Sequence, residues 1–243
     1  MASSVCDRWA AADKAVRLTP GFRFQVGLDV VGSMQEVLER NAYELRAHLY
    51  VEDFTNISEK MTDEFVQETV RLLINYCSAR SALVDTTRAH IVKLCEKVGG
   101  EPARWAKDEY AKETELHFDK PEYKFLQDLR NYCCHYRVPT LNASVKWPVG
   151  EGSGDLRHEV TLMAEPMLKW SKWSSPARAY IEQNIAEGIA VVPLVSAYQD
   201  DVLAFYDWLP ADAFRAFTDE RLATARQWQE VQDLKEACLS SRR

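Results

Sequence analysis

The densest run of chemically useful side chains lies just past the middle of the chain, in Asp128-Leu129-Arg130-Asn131-Tyr132-Cys133-Cys134-His135-Tyr136-Arg137-Val138-Pro139. Arg130, Asn131 and His135 together suit the cleavage of a phosphodiester. Such a reaction needs a group that takes or gives a proton near neutral pH, which an imidazole provides. It needs a cation to stabilise charge on the phosphoryl oxygens, and a guanidinium binds these with a planar fork. An amide such as Asn131 can orient the substrate or a water. With RNA the neighbouring 2′-hydroxyl serves as nucleophile, so the trio calls for neither a metal nor another cofactor. Tyr136 and Arg137 follow as further phosphate contacts.

The spacing places this chemistry on a helix. Asn131 and His135 are four apart and share a face. Arg130 and His135 are five apart, about 140° around an ideal helix. Their long side chains reach one phosphate where the last turn loosens before Pro139. The same residues also admit a structural reading. Arg130 would pair with Asp85 or Asp128, Asn131 would cap a neighbour, and His135 would bond the last carbonyls of its helix.

Arg130-Asn131-x-x-x-His135 resembles the Arg-x(4–6)-His signature of the HEPN superfamily (higher eukaryotes and prokaryotes nucleotide-binding). The resemblance covers Thr62 to Tyr136 and leaves the rest of the chain outside it. It implies an antiparallel helical bundle and a metal-independent ribonuclease of a defence or toxin–antitoxin system. It also implies a homodimer in which the Arg and His of two subunits face one cleft, with RNA as substrate and an antitoxin as a protein partner. A long helix packed against the motif helix belongs to the same arrangement, and Thr62 to Val98 corresponds to it. The reading of a different class is a non-catalytic helical protein that binds a partner protein or a nucleotide. A helical small-molecule sensor is a third.

The elements that would carry the motif are mainly helical. From Asp29 to Leu49 the residues Val30, Val31, Met34, Val37, Leu38, Leu45 and Leu49 mark one helical face. From Thr62 to Val98 an apolar seam recurs close to every 3.5 residues, and Gly99-Gly100 supplies its stop. Arg80 and Arg88 stand where that seam expects apolar residues. They read either as members of a buried ion pair with Asp85 nearby or as substrate contacts lining a cleft. A third helix starts after Pro102 and continues past Tyr110. A fourth starts at Pro121, a favoured first-turn residue, and Pro139 stops it near Tyr136.

The period then changes. Leu141, Ala143, Val145 and Trp147 alternate with polar residues, as do Leu156, His158, Val160 and Leu162, around a Gly-rich turn. This predicts a β-hairpin at about 140–163. No helix opens directly behind the turn, so its glycines read as a hairpin tip and not as a phosphate loop. Helices resume after Pro166, with one from Ser175, one from about Ile189 to Leu209, and a last one from Pro210 to about Leu239. The fold class is therefore all-α in the main, an antiparallel bundle with an inserted hairpin, read as one domain over 1–243. Its core bundle lies at about 28–138 and its C-terminal helices at 166–239.

Composition narrows the field. The chain has 243 residues, of which 47% are hydrophobic and 28% charged, an ordinary globular profile. A net charge of −7 argues against a protein that coats nucleic acid. That charge is unevenly placed. Asp29 to Glu68 holds ten acidic and three basic residues, whereas Arg71 to Lys107 holds seven basic and three acidic ones. The N-terminus, Met1 to Pro20, has no apolar core of the length a signal peptide needs, and the most apolar stretch, Ile189 to Tyr198, is too short to span a membrane. The six cysteines form no Cys-x-x-Cys pair. They read as reduced, mostly buried thiols of a cytoplasmic protein. Cys133, Cys134 and His135 point in different directions on a helix, so no metal site is expected there. His48, His90, His117 and His158 lack metal-ligand spacing.

Overall fold

The computed structural model describes residues 4–50, 62–146 and 157–241. Their architecture is mainly helical, with one small three-stranded sheet. In chain order, α1 is Val5–Val16, α2 is Pro20–Leu49 and α3 is Asp63–Thr87. A single π-helical turn, Arg88–Val92, leads into α4, Lys93–Val98. Then follow α5 (Gly100–Lys107), α6 (Glu109–Phe118) and α7 (Pro121–His135). Strands β1 (Leu141–Lys146) and β2 (Arg157–Leu162) precede α8 (Ala164–Met167) and α9 (Ser175–Gln183). The chain ends with β3 (Ile189–Ala190), α10 (Val191–Ala216) and α11 (Thr218–Ser240).

These elements group into two compact units. One comprises Met1–Ser33, Val84–Glu113 and Tyr206–Arg243; the other comprises Met34–Leu83 and Thr114–Phe205. The divisions fall inside continuous helices, where composition does not shift, so the sequence marks no boundary.

In the first unit α1 lies against α11, and a disulfide joins Cys6 to Cys238 with their Cα atoms 4.9 Å apart. This corrects the expectation of six reduced thiols. Residues 232 apart in sequence give no spacing signal, and only packing of the terminal helices brings them together. Phe24 stacks on Phe217 at 4.1 Å and meets Phe214 edge-on. The indole N–H of Trp105 donates to Asp212 at 2.7 Å. As expected, the helical run stops at Gly99, and Gly100 opens α5, with φ of +77° and +57° that a side chain would resist.

The second unit contains the motif helix. Its core is built from Leu38, Leu45, Leu73, Tyr76, Phe125 and Leu129, among other buried side chains. The expected hairpin pairs β1 with β2, placing Leu141 opposite Leu162 and Ala143 opposite Val160. Trp147, Leu156 and the Gly-rich turn lie outside the described residues.

Four further expectations change. The third helix starts at Gly100, ahead of Pro102, and breaks between Lys107 and Glu109 instead of continuing past Tyr110. The second helix begins at Pro20, not Asp29, and Val37 stands 44% exposed instead of facing the core. Ile189 and Ala190 pair with β2 as a third strand before the helix starts. Pro210 does not begin a new helix but sits inside α10. Its ring removes one backbone donor, at a cost of about 3 kcal/mol. The buried stripe Phe205, Leu209, Ala213 and Ala216 holds the helix through it.

Candidate functional site

Helix α7 has a well-defined start. Pro121 occupies its first turn, and the Lys120 carbonyl accepts from the Tyr123 and Lys124 N–H groups. Its buried face is Tyr123, Phe125, Leu126, Leu129 and Tyr132. That face packs on α9 and the segment before it. Phe125 stacks on Trp173 at 5.6 Å and tilts against Tyr180 at 5.5 Å. Tyr132 stacks on Trp173 at 5.2 Å and meets Trp170 edge-on at 5.6 Å. The Asp128 carboxylate accepts from the Ser174 N–H at 2.8 Å. These contacts set the rotation of the helix, and so which of its residues face outward.

The outward residues are the motif. Arg130 and His135 are exposed, and Asn131 is half-buried. Among the described residues no hydrogen bond or ion pair engages any of the three side chains. Asp128, one candidate partner of Arg130, is committed to Ser174, and the other, Asp85, is exposed and belongs to the other unit. The last turn does loosen before Pro139. Both the Tyr136 and Arg137 N–H groups bond the single Tyr132 carbonyl, at 2.9 and 3.1 Å. Tyr136 is 47% exposed, its ring tilted against Tyr132 at 5.4 Å and stacked near Trp170 at 6.5 Å. Arg137 is exposed beside it.

Two nearby thiols, Cys133 and Cys77, are not reactive groups. Burial pushes the Cys133 thiol up to about 12, and burial does the same to Cys77, reinforced by Cys133. Both remain protonated at neutral pH, which removes them as thiolate ligands or nucleophiles.

The two seam arginines part company. Arg80 is 7% exposed. Its guanidinium lies over the Tyr198 ring at 4.9 Å, and Nη2 donates to the Tyr123 carbonyl at 3.3 Å. The buried charge is thus accommodated by a ring and a carbonyl rather than by the carboxylate of an ion pair. It ties α3 to α7, and burial keeps it off the exposed face that carries the motif. Arg88 is exposed, belongs to the other unit, and opens the π-helical turn.

A second polar constellation is missed by the sequence reading. His117 at the end of α6, Lys120 just before α7 and Tyr123 in its first turn converge on Asp201 of α10. Lys120 Nζ lies 2.5 Å from Oδ2, which also accepts from the Tyr123 hydroxyl. His117 Nδ1 lies 3.1 Å from Oδ1. An ionised carboxylate only accepts, so the proton of that imidazole sits on Nδ1. Burial alone would raise the Asp201 carboxyl, but the bonds from Lys120, Tyr123 and His117 outweigh it and hold the group below its ordinary range. Burial, with the Asp201 bond, pushes the Tyr123 phenol far up. This cluster is fully engaged and holds three elements together. A spacing of 117, 120 and 123 across a helix junction was its only local trace.

No protein-family model matches the chain, and neither a curated protein nor a solved structure matches it.

Proposed function

We propose that the chain is a HEPN-like protein in which Arg130, Asn131 and His135 form a metal-independent ribonuclease centre. One observation carries the reading: among the described residues three polar side chains suited to phosphodiester chemistry, two exposed and one half-buried, have no internal partners, on a helix whose other face is anchored by aromatic packing. Side chains with a structural duty would be bonded within the fold.

In the proposed reaction the 2′-hydroxyl of RNA attacks the adjacent phosphorus, and His135 takes its proton. Arg130 neutralises charge on the phosphoryl oxygens as it grows. The 5′-oxygen leaves with a proton supplied by a second imidazole or by water. The products are a 2′,3′-cyclic phosphate and a free 5′-hydroxyl. Asn131 orients the phosphate, and Tyr136 and Arg137 contact neighbouring ones. Arg130 and His135 diverge by about 140° on one helix. A homodimer that sets two motif helices side by side would supply the facing pair, and an antitoxin-type protein would act by covering this surface. We place the chain in the cytoplasm, where reducing thiols would open Cys6–Cys238 except under oxidation. Among the described residues no helix is long and apolar enough to cross a membrane.

The test is cleavage of mixed-sequence single-stranded RNA in EDTA. The wild type should cut it and leave cyclic phosphate ends, and His135→Ala should be slower by about 10²–10⁴-fold. Equal activity in the two proteins, or activity abolished by EDTA, would overturn the proposal.

A further inference from the structure

Where α3 meets α7, the second unit buries a positive charge with no carboxylate to match it. The Tyr198 ring and the Tyr123 carbonyl that receive the Arg80 guanidinium are both neutral. Its Nε is buried and, among the described residues, has no hydrogen-bond partner. A guanidinium keeps its proton inside a protein. A charge taken out of water is costly unless an opposite one meets it. One turn before Arg80 stands Tyr76, fully buried, its hydroxyl likewise without a partner among the described residues. Residues four apart share a helix face, and a helical side chain leans toward the turn before it. Arg80 therefore reaches back toward Tyr76. Burial pushes the Tyr76 phenol well up, and the Arg80 charge lies close enough to oppose that rise.

The other titratable groups around the guanidinium do not supply the missing negative charge. Burial raises the Tyr198 phenol and pushes the Cys77 thiol up to about 12, so both keep their protons at neutral pH. Burial does the same to the Tyr123 phenol, whose hydroxyl donates to Asp201. Asp201 itself is taken by Lys120, Tyr123 and His117. All of these residues belong to the one unit. The locus thus holds a cation, two unused donors and no anion, and buried polar groups in a folded protein are almost always satisfied.

We infer that Arg80 Nε and the Tyr76 hydroxyl together bind one monatomic anion, with chloride as the type. A water would occupy both donors but leave the charge unmatched. Enclosure by Tyr76, Tyr123 and Tyr198, each 2% exposed or less, selects against a polyatomic oxyanion. The ion would be a structural counter-charge at the contact that ties α3 to the motif helix. The inference is independent of the ribonuclease centre.

Urea unfolding of the full chain tests it, with sodium gluconate exchanged stepwise for sodium chloride at constant ionic strength. The wild-type midpoint should rise saturably with chloride. At ten times its dissociation constant, chloride should lower the unfolding equilibrium constant about elevenfold. Tyr76→Phe keeps the ring and removes one donor, so its chloride dissociation constant should rise at least fivefold. Arg80→Met should show no chloride response. Tyr132→Phe, which removes a different buried hydroxyl, should respond as the wild type does. Equal wild-type midpoints in chloride and gluconate would assign the two donors to water and overturn the inference. It also fails if Tyr76→Phe responds as Tyr132→Phe does, or if Arg80→Met keeps the response. Should Arg80→Met not fold, the comparison of the two Tyr→Phe variants decides.

Discussion

The two ends of α7 hold nearly the same inventory of side chains and use it in opposite ways. Around its start stand an imidazole, a cation and a polar third group: His117, Lys120 and Tyr123. Near its end stand another imidazole, another cation and another polar group: His135, Arg130 and Asn131. The first set is drawn inward by one carboxylate, Asp201, side-chain exposure 19%, and every member is bonded. The second set has no carboxylate partner among the described residues and faces outward. Residue type alone therefore does not separate a structural cluster from a chemical one. The presence of a committed counter-charge does.

Substitutions that exchange the two behaviours would break this comparison. The largest effects should come from the outward set, read as rate. His135→Ala or Arg130→Ala should lower RNA cleavage by about 10²–10⁴-fold, with a melting temperature within a degree or two of the wild type. A matching drop in melting temperature would assign the motif to structure instead.

The inward set should show the reverse pattern. Asp201→Asn leaves Lys120 without its counter-charge and should cost about 1–3 kcal/mol, read as a lower denaturant midpoint with RNA cleavage per folded molecule unchanged. The pH dependence has a definite sign. The folded Asp201 carboxyl is lowered, so its contribution is complete above the ordinary aspartate value of 3.8 and is lost as pH falls through the folded value beneath it. Acid titration should therefore destabilise the wild type more than Asp201→Asn in that window, and parallel curves would show that the carboxylate contributes nothing.

Smaller effects sharpen the boundary between the two ends. Tyr136→Ala and Arg137→Ala should weaken RNA binding by less than tenfold, seen in KM more than in kcat. Tyr132 lies beneath the motif with its hydroxyl buried and, among the described residues, without a hydrogen-bond partner. Replacing it by Phe removes an unsatisfied group while keeping the stacking on Trp173. Tyr132→Phe should thus be neutral or stabilising by about 1 kcal/mol, as a melting curve will show.

What the sequence disclosed and what it concealed divide along the same physical line. Local signals were legible: Pro121 opening α7, Pro139 beyond its end, the glycine stop at Gly99, and the alternation that marks β1 and β2 as a hairpin. Each depends on neighbours within a few positions. The motif was visible for the same reason, since its residues lie within one helical turn and a half. The Asp201 cluster was hidden because its halves are 78 to 84 residues apart and meet only through packing. The disulfide is the extreme case. Pro210 misled in the other direction, because a strong local helix-breaking signal was overridden by burial of the stripe on either side.

That disulfide also governs how the chain responds to force. Joining Cys6 to Cys238, 232 apart in sequence, closes the chain between them into one loop. A pull applied outside that loop bears on the sulfur–sulfur bond and cannot unravel the helices between. Reduction would release the loop, freeing about 800 Å of extendable chain. Oxidised and reduced molecules should therefore differ in mechanical length far more than in any contact visible on their surfaces.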